Sequence, residues 1–358
     1  MKHLSKLKVL IIDDSALIRQ MLTKIINSAH DMEVVGTAGD PYIARRKIKQ
    51  LNPDILTLDI EMPKMDGLAF LSNLMRLRPM PVIMISALTE KGANITLQAL
   101  EYGAIDFIAK PQLDIANTFG DYSEEIIAKL RVAAKVQPRS VQKKLAITPK
   151  YSADVIIKNT ALHHRFETTE KIIAIGASTG GTEAIRTLLT HIPADTAGIV
   201  ISQHIPINFS RSFALRMNQL SPMTVYETKD KQAILPGHVY IAPGDSHLLV
   251  KRYGARYICS LNQGEAVNRH RPSVDVLFRS VAQNVGPNAI GIILTGMGDD
   301  GARGIKEMHD AGAVTIAQDE KTSVVWGMPG EAIKHGGIDH ILPLQSIVDK
   351  LMSILRKK

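Results

Sequence analysis

Short apolar runs, each closed by a polar residue, alternate along the chain with stretches of helical periodicity. In the first third, the run 7–12 ends in Asp13-Asp14 and the run 55–58 in Asp59. The run 82–85 ends in Ser86, and 106–109 ends in Lys110-Pro111. Between them, apolar residues recur at helical spacing over 16–27, 41–50, 67–77 and 94–102. Continuous apolar runs suit strands buried on both faces, and strand-helix alternation predicts a doubly wound parallel sheet. Such a sheet brings the carboxyl ends of its strands to one edge, where ligands bind.

The alternation resumes after a gap. Strand 172–176 precedes helix 182–189, and strand 198–202 precedes helix 210–220. The runs 239–241, 247–250 and 257–261 read as hairpin material, with Pro243-Gly244 as a turn. Helix 274–284, strand 289–294, helix 302–311, strand 314–317 and helix 344–356 follow. The gap itself has a closing helix at 120–135, then Pro138, Pro149 and scattered lysines without a period, which is linker composition. The expected organisation is an α/β domain over 1–125, a basic linker over 126–169 and a second doubly wound α/β domain over 170–358.

Composition narrows the function classes. The hydrophobic content of 45% fills ordinary soluble cores, and Cys259 as the single cysteine excludes an internal disulfide or a cysteine-based zinc site. The N-terminal apolar run is too short for a signal peptide, and no run approaches the ~18 residues of a membrane span. A cytoplasmic monomer without membrane insertion is expected. The net charge of +8 is local: residues 126–165 hold nine basic residues against Asp154 alone. A basic linker is not a nucleic-acid-reading domain, so no nucleic-acid partner is expected. His163-His164 lacks neighbouring ligands at metal spacing and reads as surface.

The strand ends of the first domain gather Asp13, Asp14, Asp59, Ser86 and Lys110. Clustered carboxylates repel one another and demand a cation, and hard oxygen ligands suit Mg²⁺. A lysine and a hydroxyl beside a metal-backed aspartate suit phosphoryl transfer onto a carboxylate. Asp14 could instead cap the helix that follows. The acidic pair, the segment Asp59-Ile-Glu-Met-Pro-Lys-Met-Asp-Gly67, Ser86 and Lys110-Pro111 resemble the flavodoxin-like receiver domain of two-component response regulators. The resemblance makes Asp59 the phosphoacceptor of a histidine kinase. It implies Mg²⁺ on Asp14, Asp59 and the backbone carbonyl of Glu61, with Asp13 acting through water. Lys110 would pair with the phosphoryl group and Ser86 would hydrogen-bond it. Phe107 holds the switch-aromatic position, or is plain core.

In the second domain the glycines of Gly176-Ala-Ser178-Thr-Gly180-Gly181 allow a tight strand-to-helix turn that exposes Ser178 near a helix N-terminus. The segment fits G-x-S-x-G, but not the G-x-G-x-x-G of a dinucleotide site, and no lysine ends the loop as a phosphate cradle requires. His204 lies beyond strand 198–202, and Asp299-Asp300 beyond strand 289–294. A serine becomes nucleophilic beside a base, and the base needs an orienting carboxylate. The order Ser, His, Asp differs from that of the α/β-hydrolase fold. His191, His238, His247 and His270 are other histidines of the domain, the aspartates could cap helix 302–311, and chemistry alone does not choose between Asp299 and Asp300. Gly296 and Gly298 leave the Met297 backbone accessible, as an oxyanion hole requires.

Gly176–Gly181, Ser202-Gln-His204-Ile-Pro206, Asn268-Arg-His-Arg-Pro-Ser-Val-Asp275 and Leu294-Thr-Gly-Met-Gly-Asp-Asp-Gly301 resemble the catalytic domain of the chemotaxis protein-glutamate methylesterases. The resemblance assigns Ser178 as nucleophile, His204 as base, Asp300 as orienter and the Met297 N–H to the oxyanion hole. Asn268–Arg271 would lie near the substrate. It implies a phosphorylation-activated hydrolase that removes methyl esters from glutamates of methyl-accepting chemotaxis receptors and deamidates specific glutamines. The hydrolysis itself would need no cofactor.

Overall fold

The computed structural model describes residues 6–60, 62, 67–86, 89–110, 119–136 and 170–356. Glu61, Pro111 and the His163-His164 pair lie outside the described residues. The first sheet is built from β1 (Leu7–Ile12), β2 (Met32–Ala38), β3 (Ile55–Asp59), β4 (Val82–Ser86) and β5 (Asp106–Ala109). All are parallel, in the order β2-β1-β3-β4-β5. The connecting helices are α1 (Ala16–Ser28), α2 (Pro41–Leu51), α3 (Gly67–Leu77), α4 (Glu90–Glu101) and α5 (Phe119–Ala133). α5 packs Ile126, Leu130 and Ala133 into the same core as Val9, Ile11 and Ile83.

β2 is absent from the pattern read along the chain, and its position explains why. It is an edge strand, buried only at Met32 and Ala38, so Glu33 and Gly36 interrupt its apolar residues. Caps also move boundaries. The hydroxyl of Ser15, not the carboxylate of Asp14, caps α1 by accepting from the Ile18 N–H. Thr89 accepts from the Gly92 N–H, so α4 starts before residue 94.

The second sheet comprises β6 (Ile172–Ala177), β7 (Gly198–Gln203), β8 (Thr224–Glu227), β9 (His238–Ile241), β12 (Ala289–Ile293), β13 (Val314–Gln318) and β14 (His340–Leu342). β10 (His247–Tyr253) and β11 (Arg256–Asn262) form a separate antiparallel hairpin. The helices are α6 (Gly181–Leu189), α7 (Ile207–Leu220), α8 (Val274–Asn284), α9 (Ala302–Asp310), α10 (Met328–Lys334) and α11 (Leu344–Arg356). The large sheet runs β14-β13-β12-β6-β7-β9-β8, with every pair parallel.

This corrects the hairpin expectation for residues 239–241. They pair in parallel with β7 and β8 inside the large sheet, and only the later two runs form the hairpin. A three-residue apolar run carries too little period to separate the two cases. β6, β7 and β12 are buried at every residue. Chain order reverses at β6, which has β7 on one side and β12 on the other. That is the switch point of a doubly wound sheet, the place beyond the strand ends where such sheets bind ligands.

The two sheets meet through side chains. Phe107 of β5 stacks on Phe209 of α7 with ring centroids 4.6 Å apart, and Arg216 Nε donates to Glu101 Oε1 at 2.9 Å. Among the described residues, no helix is long and apolar enough to cross a membrane.

Candidate active site and acidic pocket

Three loops converge beyond β6, β7 and β12, and backbone hydrogen bonds stitch them. Ser178 N–H donates to Thr295 O, His204 N–H to Ala177 O, and Leu294 N–H to Gly176 O, at 2.9–3.1 Å. Gly180 has φ +76°, a left-handed conformation that turns the chain from β6 into α6. Gly296 must lack a side chain: a Cβ there would lie 2.9 Å from Ser178 Cβ and 2.2 Å from Met328 Sδ. The Gln203 amide donates to the carbonyls of Ser178 and His204, fixing both turns together.

Ser178 Oγ lies 3.1 Å from His204 Nδ1, and His204 Nε2 lies 2.8 Å from Asp300 Oδ2. Asp300 is 1% exposed, and five donors surround it. Oδ2 accepts from His204 and the Val274 N–H; Oδ1 accepts from Asn268 Nδ2, Ser273 Oγ and the Asp275 N–H. Ser273 caps α8, so the carboxylate sits at that helix's N-terminus, where orphan N–H groups favour negative charge. Burial pushes the Asp300 carboxyl up, but hydrogen bonds from His204, Asn268 and Val274 outweigh it and hold it well below the usual range. An ionised Asp300 draws the imidazole proton to Nε2 and leaves the Nδ1 lone pair facing the Ser178 hydroxyl.

Of the two aspartates left open by sequence chemistry, Asp300 meets His204, while Asp299 is exposed. Neither side chain caps α9, whose N-cap is Gly301. Of the other histidines, His270 reaches the site, its ring stacked on His204. His247 instead bonds Glu265 O and the Ser273 N–H, and His191 and His238 bond nearby main chain. Met297 is half-buried beside Gly296, whose carbonyl accepts from the Gly327 and Met328 N–H groups. Gly296, the residue before Met297, is the one at which a Cβ would meet the Ser178 side chain.

In the first domain, ligand atoms of Asp13, Asp14 and Asp59 lie within 4.8 Å of one another. Asp13 and Asp59 are buried, and Lys110 Nζ bridges them at 3.2 and 2.8 Å. Arg19 donates to the Asp13 and Asp14 carbonyls and braces the acidic loop. Burial raises the Asp13 carboxyl despite Lys110. One lysine does not balance three carboxylates, so the cluster suits a hard divalent cation. Ser86 is fully buried and accepts from Thr96 Oγ1 at 2.8 Å. Phe107 is buried between the domains against Phe209.

Thr179, the residue after Ser178, carries a contact that sequence reasoning missed. Its hydroxyl donates to Asp106 Oδ2 of β5 at 2.8 Å. Lys129 of α5 donates to Phe107 O at 2.7 Å and lies 3.5 Å from Asp106 Oδ2, so the receiver edge covers the serine turn. Neither Thr179 nor Asp106 carries a local pattern that could have signalled this, because the two meet only once both sheets are docked. Asn268, Ser273 and Asp275, which cradle Asp300, were legible only as part of a motif.

Residues 173–351 match the CheB methylesterase family model, and residues 9–117 match the response regulator receiver domain. The chain is 54% identical to a protein-glutamate methylesterase/protein-glutamine glutaminase of Hydrogenovibrio crunogenus, over 99% of this chain and 100% of the relative. A Geobacter metallireducens protein of the same description is 57% identical over 98% of this chain and 97% of its own. The crystal structure of the Thermotoga maritima CheB methylesterase catalytic domain superposes with a TM-score of 0.51 at 38% identity, covering 51% of this chain and 98% of that one. With a hydrogen-bonded Ser-His-Asp row at the switch point of one sheet and an acidic pocket at the edge of the other, the chain belongs to the CheB methylesterase family, receiver domain included.

Proposed function

We propose that the enzyme hydrolyses γ-carboxyl methyl esters of glutamates on methyl-accepting chemotaxis receptors, and deamidates specific receptor glutamines, using Ser178, His204 and Asp300. The observation that carries this is the continuous row from Asp300 through both imidazole nitrogens to Ser178 Oγ. Ser178 Oγ attacks the ester carbonyl carbon as its proton passes to His204 Nδ1. The Met297 N–H stabilises the negative oxygen of the tetrahedral adduct. Collapse breaks the bond to the methoxy group, which leaves as methanol with the proton from Nδ1. Water then attacks the acyl-enzyme, its proton moving to Nδ1 and on to Ser178, and glutamate is released. With a glutamine substrate the leaving group is ammonia.

Asp59 is the phosphoacceptor for a histidine kinase in this reading. Asp14, Asp59 and the Glu61 carbonyl, with Asp13 acting through water, would hold Mg²⁺, whose charge would offset that of an incoming phosphoryl group. Lys110 stays paired to Asp59 and then to its phosphoryl oxygens, while Ser86 moves to hydrogen-bond the phosphoryl group and Phe107 follows Ser86 inward. The receiver, residues 1–125 with α5 continuing beyond, joins the hydrolase at 170–358 through a basic linker, in a cytoplasmic monomer. The receiver contact at Thr179 supports gating by occlusion, in which the docked receiver keeps a receptor helix from Ser178.

Hydroxylamine partitioning tests the chemistry. If ester and glutamine pass through one Ser178 acyl-enzyme, both substrates give the same ratio of hydroxamate to acid. Different ratios would show that no common intermediate exists.

A further inference from the structure

The loop 267–272 has no role in the chemistry above, yet it touches two of its three side chains. Val267 and His270 exchange backbone hydrogen bonds at 3.1 and 2.9 Å. The two residues between them, Asn268 and Arg269, have φ +53° and +68°. This is a two-residue turn of the I′ kind, with both central residues left-handed. Asparagine tolerates that conformation, but arginine holds it at a cost of about 1–2 kcal/mol. Strain kept at a site edge calls for a reason in the contacts it secures.

Those contacts are specific. Asn268 Nδ2 donates one hydrogen to Asp300 Oδ1 at 2.8 Å and the other to Asp275 Oδ2 at 2.7 Å. Asp275 is itself buried and accepts from the Gly304 N–H. One neutral amide thus separates and fixes two buried carboxylates, a task that an aspartate at 268 would turn into repulsion. Two residues on, the His270 ring lies on the His204 ring, with centroids 3.7 Å apart and planes 12° from parallel. Hydrogen bonds at Nδ1 and Nε2 hold the edge of the His204 ring but oppose tilting of its face only weakly. A flat surface against one face resists that tilt.

We propose that Asn268 and His270 are positioning residues for the hydrolytic row: Asn268 fixes the orientation of the Asp300 carboxylate, and His270 braces the His204 ring. The assignment rests on the Ser178 mechanism proposed above. It needs no proton transfer by His270, so a flat apolar ring serves in its place. Leucine, of similar bulk but without a flat face, does not.

The test uses the full-length phosphorylated protein with methylated receptor membranes, and folding of each variant is checked by its thermal melt. His270→Leu and Asn268→Ala are expected to lower kcat about 10–100-fold with KM nearly unchanged, since misplacement of reacting groups costs on that order. His270→Phe is expected to restore most of the loss. Ring ¹⁵N spectra give a second readout independent of turnover: His204 should hold its proton on Nε2 in wild type and His270→Phe, and populate both tautomers in His270→Leu and Asn268→Ala. Wild-type kcat in His270→Leu, equal losses in His270→Phe and His270→Leu, or unchanged His204 spectra in both damaging variants would overturn the proposal. If Ser178→Ala still hydrolyses the ester, the mechanism falls, and the spectra alone then decide whether the brace exists.

Discussion

Thr179 Oγ1 donates a 2.8 Å hydrogen bond to Asp106 Oδ2, tying the residue beside Ser178 to the start of β5, the strand that also carries Phe107. A change in the receiver pocket that moves β5 therefore pulls directly on the serine turn. Removing the acceptor should loosen the closed arrangement. A buried hydrogen bond is worth about 0.5–1.5 kcal/mol net, so Asp106→Ala should raise methanol release without phosphodonor by roughly two- to tenfold. Asp106→Asn keeps an acceptor oxygen and should stay near the wild-type rate. An Asp106→Ala rate equal to wild type would remove this contact from the gating scheme.

Occlusion also makes a claim about the phosphoacceptor. Asp59→Asn should leave the resting rate as it is and abolish stimulation by a small-molecule phosphodonor. The fragment 170–358 should exceed the unphosphorylated whole protein in activity, because it lacks the edge formed by Asp106 and Lys129. A fragment no faster than the resting protein would show that the receiver does not shield Ser178.

Asp300 sets the tautomer of His204. In Asp300→Asn the side-chain amide can donate toward Nε2, which moves the imidazole proton to Nδ1 and turns the lone pair away from Ser178. A kcat loss of about 10³–10⁴-fold with little change in KM is expected, the scale of a triad with the wrong tautomer. Steady-state kinetics on methylated membranes measures it. A loss confined to KM would mean that Asp300 serves binding.

His270 stacks on the His204 ring and feels the charges of Asp300, Lys129 and Arg269. Burial first, and then the neighbouring His204, lower its pKa from 6.5 to about 4. The folded value lies below the unfolded one, so the unfolded chain takes up the proton first. The neutral ring's contribution to stability is therefore complete above pH about 6.5 and is lost as pH falls toward about 4, by up to about 3 kcal/mol. His270→Phe should flatten this part of the stability profile. Urea melts of both proteins between pH 7.5 and 5 provide the comparison, and parallel profiles would contradict the assignment.

Much of this arrangement was legible in the residues. Central strands such as β6 and β12 declare themselves as unbroken apolar runs because both faces are buried. Ser178, His204 and the Asp299-Asp300 pair could be placed at strand ends by position alone, and only the family resemblance favoured Asp300. β2 and β8 were harder, since edge strands bury fewer of their residues and blur the pattern. Contacts away from the strand ends were not legible. Thr179 and Asp106 meet across the domain contact, and His270 finds His204 only through a turn whose left-handed residues carry no glycine signal.

The most direct test of the whole is methanol release from methylated receptor membranes by phosphorylated wild type and phosphorylated Ser178→Ala. We expect Ser178→Ala to release none above the membrane-only background. Release at the wild-type rate would contradict the assignment of Ser178 as the nucleophile.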